Sequence, residues 1–358
     1  MSNGNHQETV DRRSYLAGSA VALSALSMGS GVAAAGDGKK SGNHDPADGD
    51  RTESTITECT TITESGTYVL ADDLETAPET ACITVRASDV LIDGRGHSIS
   101  GPNGQGVEGV GVSVQPPGEE SISNVTVTDL TLERLRTGIV FDDVTDGVIK
   151  AVTSEMTTIA GTNFVLVDAD RNTLVDNDLE RGGSGIYLIN ANENVVVGNS
   201  TASTFFPGLD LLESDGNTLI GNTVTSVDGV GILLQRSDGN HLLQNTATLN
   251  AIGISLVGSN DNRLDLNAAN ENVAVGGGSG FHLSGSDRNS GRGNTAEENP
   301  FGPISISGAG NAIEVNGTVY TGDPATGTVE AEADDDTVEK DLTEAKNEVL
   351  AFTDTNRP

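Results

Sequence analysis

An asparagine pair recurs along the chain at a nearly constant offset. The segment SDGNTLIGN at 214–222 is followed by SDGNHLLQN at 237–245, 23 residues later. Before most of these pairs, a glycine stands nine residues ahead of the first asparagine. The first asparagines include Asn172, Asn194, Asn217, Asn240 and Asn262, and the second include Asn177, Asn199, Asn222, Asn245 and Asn267. A repeat of this length is typical of a solenoid.

Apolar residues alternate with other residues between these landmarks, as in Ile186 and Leu188 or Ile232 and Leu234. Period two predicts strands with one face inward, and one coil cannot bury that face alone. Coils stacked about 4.8 Å apart would pair each strand with its equivalents. Stacked asparagine amides would then hydrogen-bond along the column, and Asn and Gly both tolerate a left-handed corner. We therefore predict an all-β parallel β-helix of about eleven coils with two structural asparagine ladders at its corners.

The N-terminus has the features of an export signal. Arg12-Arg13 precede a short apolar stretch and the small residues Ala33-Ala34-Ala35. This pattern is typical of a twin-arginine signal over 1–35. The apolar stretch is too short for stable membrane insertion. The mature protein is therefore expected outside the cell or on its surface.

The remaining boundaries follow from composition. Residues 36–57 are polar and predicted to form a linker, the β-helix is expected over 58–320, and an acidic tail covers 321–358. Helical spacing within the tail predicts an amphipathic helix over 337–352, lying against the rod or covering its end. The apolar residues at that spacing are Val338, Leu342, Ala345, Val349 and Phe352.

The two cysteines fit the repeat. Cys59 and Cys82 lie 23 residues apart, which is one coil, so stacking brings them within reach of each other. In an exported protein a pair of this kind favours a disulfide over two free thiols.

The net charge of the chain limits the kinds of partner that it can bind. The chain has 53 Asp and Glu against 19 Lys and Arg, a net charge of −34. Such a surface repels nucleic acid and anionic membranes and favours a soluble monomer. Acidic residues spread along the whole chain, together with few lysines, resemble the composition of proteins from salt-loving archaea.

The coil pattern Gly-Ile-x-Leu-x-x-(Ser/Ala)-x-x-Asn-x-Leu-x-x-Asn resembles the right-handed parallel β-helix repeats of the NosD-like group. CITVRASDVLIDGRGHSISG (82–101) looks like the N-terminal coils of such proteins. The resemblance covers about 58–318 and implies a right-handed, pectin-lyase-like β-helix. The wider class holds carbohydrate-binding proteins, lyases, hydrolases and epimerases. NosD itself is a periplasmic protein that serves copper-site maturation. The matching residues are structural, so the resemblance implies fold more strongly than function.

A copper site would need soft or imidazole ligands. After the signal the chain keeps only Met156 and the histidines His44, His97, His241 and His282, and these do not fall in one row of the repeat. No metal site and no cofactor are therefore predicted, although a lyase would use calcium.

The best candidate for a carbohydrate site is an acidic patch with aromatic residues at its edge. Successive coils would place its residues side by side, where aromatic rings and carboxylates suit sugar binding. Its members are Glu180, Arg181, Tyr187, Phe205, Phe206, Asp210 and Asp228.

Three functions remain open. The leading hypothesis is a non-enzymatic, exported protein that binds a polysaccharide or another envelope component. The second is a polysaccharide lyase, hydrolase or epimerase that uses the 180–228 patch, although no signature of these enzymes is found and no catalytic residue is assigned. The third is a NosD-like accessory protein for the maturation of a copper enzyme.

Overall fold

The computed structural model describes residues 53–322 except 78–79, 103–108, 119, 157–159 and 274–277. The predicted export signal 1–35 and tail helix 337–352 lie outside the described residues. Every named element is a strand. No helix in this part of the chain has the length and apolar character needed to cross a membrane.

The strands are short, as the repeat predicts. In chain order they are β1 Glu53–Ile56, β2 Thr60–Ile62, β3 Gly66–Leu70, β4 Leu74–Glu75, β5 Ala81–Val85, β6 Val90–Asp93, β7 Ser98–Ser100, β8 Val110–Val114, β9 Ile122–Ser123, β10 Val125–Thr128, β11 Thr131–Glu133, β12 Thr137–Asp142, β13 Val144–Thr145, β14 Val148–Lys150, β15 Thr153–Glu155, β16 Thr162–Val167, β17 Thr173–Val175, β18 Asp178–Glu180, β19 Ser184–Ile189, β20 Val195–Val197, β21 Ser200–Ala202, β22 Leu209–Leu212, β23 Thr218–Ile220, β24 Thr223–Thr225, β25 Val230–Gln235, β26 His241–Leu243, β27 Thr246–Thr248, β28 Ile252–Val257, β29 Arg263–Asp265, β30 Ser279–Ser284, β31 Ser290–Asn294, β32 Ile304–Ile306, β33 Ala312–Val315 and β34 Thr318–Tyr320.

Three long sheets run along the rod. Sheet 1 has the order β1-β3-β6-β10-β14-β17-β20-β23-β26-β29-β31-β33-β34, sheet 2 has β2-β5-β8-β12-β16-β19-β22-β25-β28-β30-β32, and sheet 3 has β4-β7-β11-β15-β18-β21-β24-β27. Each typical coil contributes one strand to sheet 1, then to sheet 3, then to sheet 2. Sheet 2 has eleven strands and hence ten steps of one turn, close to the predicted number of coils. The predicted parallel β-helix is confirmed.

Inside the rod lies a continuous apolar core. The inward residues of sheet 2 stack coil on coil, with Ile186 over Leu209 and Ile232 over Ile254. All four side chains are at most 1% exposed. Neighbouring coils thus bury the faces that no single coil can bury alone.

Both predicted asparagine ladders are confirmed. In the first, the backbone N–H of Asn217 donates to Oδ1 of Asn240 at 2.7 Å, and its Nδ2 donates to the same oxygen at 3.1 Å. In the second, Asn222 makes the same two bonds to Oδ1 of Asn245, at 3.0 and 2.9 Å. These side chains are at most 1% exposed. The amides therefore satisfy buried backbone donors at the corners, where no strand partner is available.

At the corner of the first ladder, the left-handed residue is the one before the asparagine. The asparagine itself, which we expected to be able to take this conformation, does not take it there. Gly216 has φ 64° and Gly239 has φ 65°, while Glu193 and Asp261 take φ 55° and 56° at equivalent positions. A left-handed residue turns the chain, and the following asparagine fills the space inside the turn. This explains why glycine often precedes asparagine in the repeat.

A third asparagine ladder and a serine column were not predicted. Asn250 donates its backbone N–H to Oδ1 of Asn272, and Asn272 does the same to Asn299. The backbone N–H of Ser214 donates to Oγ of Ser237, as part of the serine column. Each corner of the coil therefore has its own column of side-chain acceptors.

The recurring glycine marks a close approach. A Cβ on Gly208 would lie 2.3 Å from Cγ1 of Val224 and 3.1 Å from the carbonyl oxygen of Gly231. No side chain fits between sheets 2 and 3 at this point, so the glycine is required by space.

At the N-terminal end the predicted disulfide between Cys59 and Cys82 is present. The linker boundary at residue 57 is wrong, because Glu53–Ile56 forms β1 and pairs in parallel with β3. Apolar and polar residues alternate only weakly in Glu53–Ile56, which is why the sequence did not predict this strand. At the other end β34 pairs antiparallel with β33.

Candidate functional site

Two adjacent phenylalanines stand out on the surface. Phe205 and Phe206 are 49% and 56% exposed and lie in the connection between β21 and β22. Large apolar side chains at this exposure are unusual in a chain with 3% aromatic residues. They form the centre of the patch predicted from the sequence.

Backbone hydrogen bonds hold this connection in place. The N–H of Phe205 donates to the carbonyl of Gly182 at 3.1 Å, and that of Phe206 donates to Gly183 at 2.7 Å. The Thr204 hydroxyl donates to the carbonyl of Phe206 at 3.0 Å. The connection therefore stacks on the coil before it in the same way as a strand, and the aromatic rings project from a fixed backbone.

Three of the predicted polar residues flank the phenylalanines on neighbouring coils, and all three are exposed: Glu180, Arg181 and Asp228. Arg181 forms an ion pair with Glu155 on the preceding coil. The N–H of Asp228 donates to the carbonyl of Thr204 at 3.0 Å, which fixes the next coil beside the phenylalanines. We call Glu180, Arg181, Phe205, Phe206 and Asp228 the aromatic strip.

Tyr187 and Asp210 lie in a different setting. They stack in one outward column of sheet 2, in register with each other, as predicted. However, Tyr187 is 8% and Asp210 7% exposed. Tyr187 packs with Val165, Val167 and Ile189 in an apolar cluster on the outer face of the sheet. These two residues are thus separated from the solvent that reaches the aromatic strip.

Burial changes the acidity of Asp210. Desolvation raises the pKa of its carboxyl to about 7, and the hydrogen bond from Nε2 of Gln235 at 3.4 Å opposes this only in part. Asp142, two coils before Tyr187 on the same face, behaves similarly: burial, then the charges of Asp168 and Asp143, raise its pKa to about 6. Sequence reasoning missed Asp142, which stacks on Val167 and Ile189 in the outward column next to that of Tyr187; its outward position on the strand was the available signal.

Few of the described side chains could act together as ligands of a metal ion. In the residues that the structure describes, no group of three or more His, Cys, Asp or Glu side chains could hold a metal ion. His241 bonds to Asp265 on sheet 1, whereas His282 bonds to Ser255 on sheet 2. Met156 is fully buried, both cysteines are in the disulfide, and His44 lies outside the described residues. The described side chains therefore do not fit a copper centre, which needs soft and imidazole ligands together.

The chain matches the model of a known protein family. A family described as "Periplasmic copper-binding protein (NosD)" matches residues 88–276, more than half of the chain. No curated protein matches this chain significantly.

Several solved structures share the fold at low identity. The Azotobacter vinelandii mannuronan C-5 epimerase AlgE4 A-module is 13% identical with a TM-score of 0.54, over 74% of this chain and 89% of that one. The Dettilon tailspike protein is 14% identical with a TM-score of 0.60, over 74% and 61%. The periplasmic alginate epimerase AlgG is 14% identical with a TM-score of 0.53, over 72% and 64%. The chain thus spans less than two thirds of the latter two, and the likeness at this identity concerns the fold.

Proposed function

Since this chain belongs to the NosD family, we propose that it is an exported β-helix protein that binds a polysaccharide or another component of the cell envelope without cleaving it. Two observations support export. The family is described as periplasmic, and Cys59 and Cys82 form a disulfide, which persists in oxidising compartments. The twin-arginine route and the cell surface as destination remain part of this proposal.

The observation that carries the binding role is the exposed Phe205–Phe206 pair. Aromatic rings on a fixed backbone offer a flat apolar surface at low entropic cost, because little motion is lost when a ligand binds. Glu180 and Asp228 flank the rings and supply acceptors for hydroxyl groups, and Arg181 supplies donors. An apolar surface bordered by polar groups suits a sugar ring, which has apolar faces and a rim of hydroxyls.

The test is polysaccharide binding by the full chain, measured as retardation in gels that contain each candidate polymer. The double variant Phe205→Ala/Phe206→Ala should weaken binding at least tenfold. Phe301→Ala is the matched control, because Phe301 is 72% exposed in the equivalent connection four coils further along. If all three proteins bind equally, the aromatic strip is not the site. If the natural chain binds no polymer, the binding role itself is wrong.

A second candidate is a polysaccharide lyase, hydrolase or epimerase. The observation in its favour is Asp210, whose pKa near 7 would let the carboxyl carry a proton at neutral pH. Its low exposure opposes direct contact with a polymer. Loss of glycan cleavage in Asp210→Ala or Asp228→Ala, with the fold intact, would support this candidate over simple binding.

A third candidate, an accessory role in copper-enzyme maturation, is favoured by the family's description. The described part of the chain offers no donor set on which copper transfer could be built. We therefore derive no copper step, and this role would require contacts with a partner enzyme.

A further inference from the structure

The acceptor motif of N-linked glycans, Asn-x-Ser/Thr, occurs three times in the chain and begins at Asn124, Asn199 and Asn316. All three asparagines coincide with the repeat, so the sequence alone gives no reason to regard them as more than products of the coil pattern. The structure distinguishes them, because a glycan requires an amide that reaches the solvent.

Asn199 is unsuited to carry a glycan in the folded chain. It belongs to the second asparagine ladder and is 1% exposed. Its Nδ2 donates to the carbonyl of Leu174 at 2.9 Å and to Oδ1 of Asn222 at 3.0 Å. Both hydrogens of the amide are thus used inside the rod, and a sugar on Nδ2 would break one of these bonds and push the neighbouring coil away.

Asn316 is exposed, but its amide is bound to the chain itself. It lies between β33 and β34. Its Oδ1 accepts the N–H of Ala296 at 2.9 Å, and its Nδ2 donates to the carbonyl of Ala296 at 3.1 Å. Since Ala296 is 4% exposed, these two bonds direct the amide towards the coil and away from the solvent.

Asn124 differs from both, because it is exposed and is no part of a ladder. It takes φ 55° and is the left-handed residue of its corner, whereas the fully buried Val125 occupies the ladder position. Its backbone N–H donates to the carbonyl of Thr145 at 3.0 Å, and its own carbonyl accepts the N–H of Val90 at 3.2 Å. The neighbouring coils therefore fix the backbone of Asn124 and leave its side chain on the surface.

The amide of Asn124 has a hydrogen to spare. Nδ2 donates to Oδ1 of Asp89 at 2.7 Å, and Asp89 is exposed as well. An Asn amide carries two hydrogens on Nδ2. A glycosylated amide keeps one of them, so the bond to Asp89 survives the attachment of a sugar.

The surroundings of Asn124 leave room for a modifying enzyme. Thr126, the third residue of the motif, lies on the outward face of β10, because Val125 and Val127 are buried in the core. The described residues of the connection just before the site are also exposed: Pro117, Gly118, Glu120 and Ser121. Both side chains that the motif requires therefore lie outside the core, next to an exposed connection.

We propose that Asn124 is the acceptor of an N-linked oligosaccharide that is attached to the folded chain after export. The donor is an oligosaccharide linked to a lipid through phosphate. A bond forms between Nδ2 of Asn124 and C1 of the first sugar, and the bond from C1 to the phosphate oxygen breaks. Nδ2 gives its proton to a base of the transferase, and the lipid phosphate leaves with the electron pair.

This modification rests on the export proposed above, but it does not depend on polysaccharide binding. Asn124 lies at the corner before sheet 1, whereas Phe205 and Phe206 lie in the connection from sheet 3 to sheet 2. A glycan on Asn124 therefore leaves the aromatic strip open.

The test is peptide mass spectrometry on the full chain, purified from the cells, the envelope and the medium of its native host. Trypsin cleaves after Lys and Arg, so each motif falls in its own peptide: 96–134, 182–236 and 293–340. Peptide 96–134 should carry the mass of one oligosaccharide, and its fragment ions should place the sugar on Asn124. Peptides 182–236 and 293–340 should carry none.

Two substitutions at Thr126 separate the motif from the fold. Thr126→Ala should lower the glycosylated fraction of peptide 96–134 at least tenfold, whereas Thr126→Ser keeps the hydroxyl and should retain it. The matched control is Thr128→Ala, which also lies on the outward face of β10 but outside the motif, and it should retain the glycan. Far-UV circular dichroism checks that all variants keep the β-helix.

The outcomes distinguish this modification from export. An exported chain that lacks residues 1–35 and has an unmodified Asn124 would overturn the proposal and leave export intact. An unmodified chain found only inside the cells would overturn both. A glycan on Asn199 or Asn316 in place of Asn124, or equal occupancy in Thr126→Ala, would also overturn the proposal, because exposure of the amide would then not select the acceptor.

Discussion

Replacement of one ladder asparagine in the middle of the rod should destabilise the whole β-helix. Oδ1 of Asn217 accepts the backbone N–H of Asn194 at 2.8 Å and its Nδ2 at 3.1 Å. Nδ2 of Asn217 donates to Oδ1 of Asn240 at 3.1 Å. Asn217→Ala removes these three bonds and leaves the N–H of Asn194 buried without an acceptor.

The expected cost follows from these contacts. Two lost side-chain bonds contribute about 1 kcal/mol each, and an unsatisfied buried N–H adds about 1–3 kcal/mol, for a loss of about 3–5 kcal/mol in the free energy of unfolding. The third lost bond, from the N–H of Asn194, is counted through the cost of that unsatisfied N–H, and the backbone bond from Asn217 to Asn240 is retained. Guanidinium unfolding followed by circular dichroism measures the change.

The control is Thr218→Ala, one residue further along, whose side chain points out of sheet 1. A surface substitution of this kind should change the free energy of unfolding by less than about 0.5 kcal/mol. If Asn217→Ala costs less than about 1 kcal/mol, or no more than the control, the ladders do not stabilise the corners and the reasoning is refuted.

Three further predictions concern single sites. Gly208→Ala should cost about 1–3 kcal/mol because its Cβ would overlap Val224; a melting temperature equal to that of the natural chain would contradict this. Reduction of the Cys59–Cys82 bond should lower the free energy of unfolding by about 3 kcal/mol for a 23-residue loop, and a denaturant midpoint insensitive to reductant would count against it. Asp210 has a raised pKa, so the folded state holds a proton that the unfolded state releases, and stability from this group falls as pH rises from about 4 to 7. Asp210→Asn should therefore raise the melting temperature at pH 8 and leave it nearly unchanged at pH 4, whereas an equal effect at both pH values would disprove the assignment.

The repeat predicted the fold because its residues are the ones that the coil geometry requires. Asn217 and Asn240 recur since each corner needs a buried acceptor, and Gly208 recurs since no Cβ fits there. The Asn250 ladder was missed because it runs through only a few coils and so gives a weak periodic signal.

The candidate site was predicted less completely. Spacing along the chain correctly placed Phe205 and Phe206 beside Asp228 on stacked coils. Spacing also gives the direction of Tyr187 and Asp210, but not their burial, which depends on packing across the outer face of the sheet. Alternation shows which way a side chain points, whereas what covers it is a property of tertiary structure.

The central claim, binding of an envelope polysaccharide without cleavage, is tested most directly by one incubation. The protein is mixed with a panel of polysaccharides in multimolar salt with calcium, and bound polymer and newly formed reducing or unsaturated ends are measured in the same samples. Binding that depends on Phe205 and Phe206, with no new ends, is the predicted result. Release of new ends that disappears in Asp210→Ala or Asp228→Ala would contradict the claim and show that the protein is an enzyme.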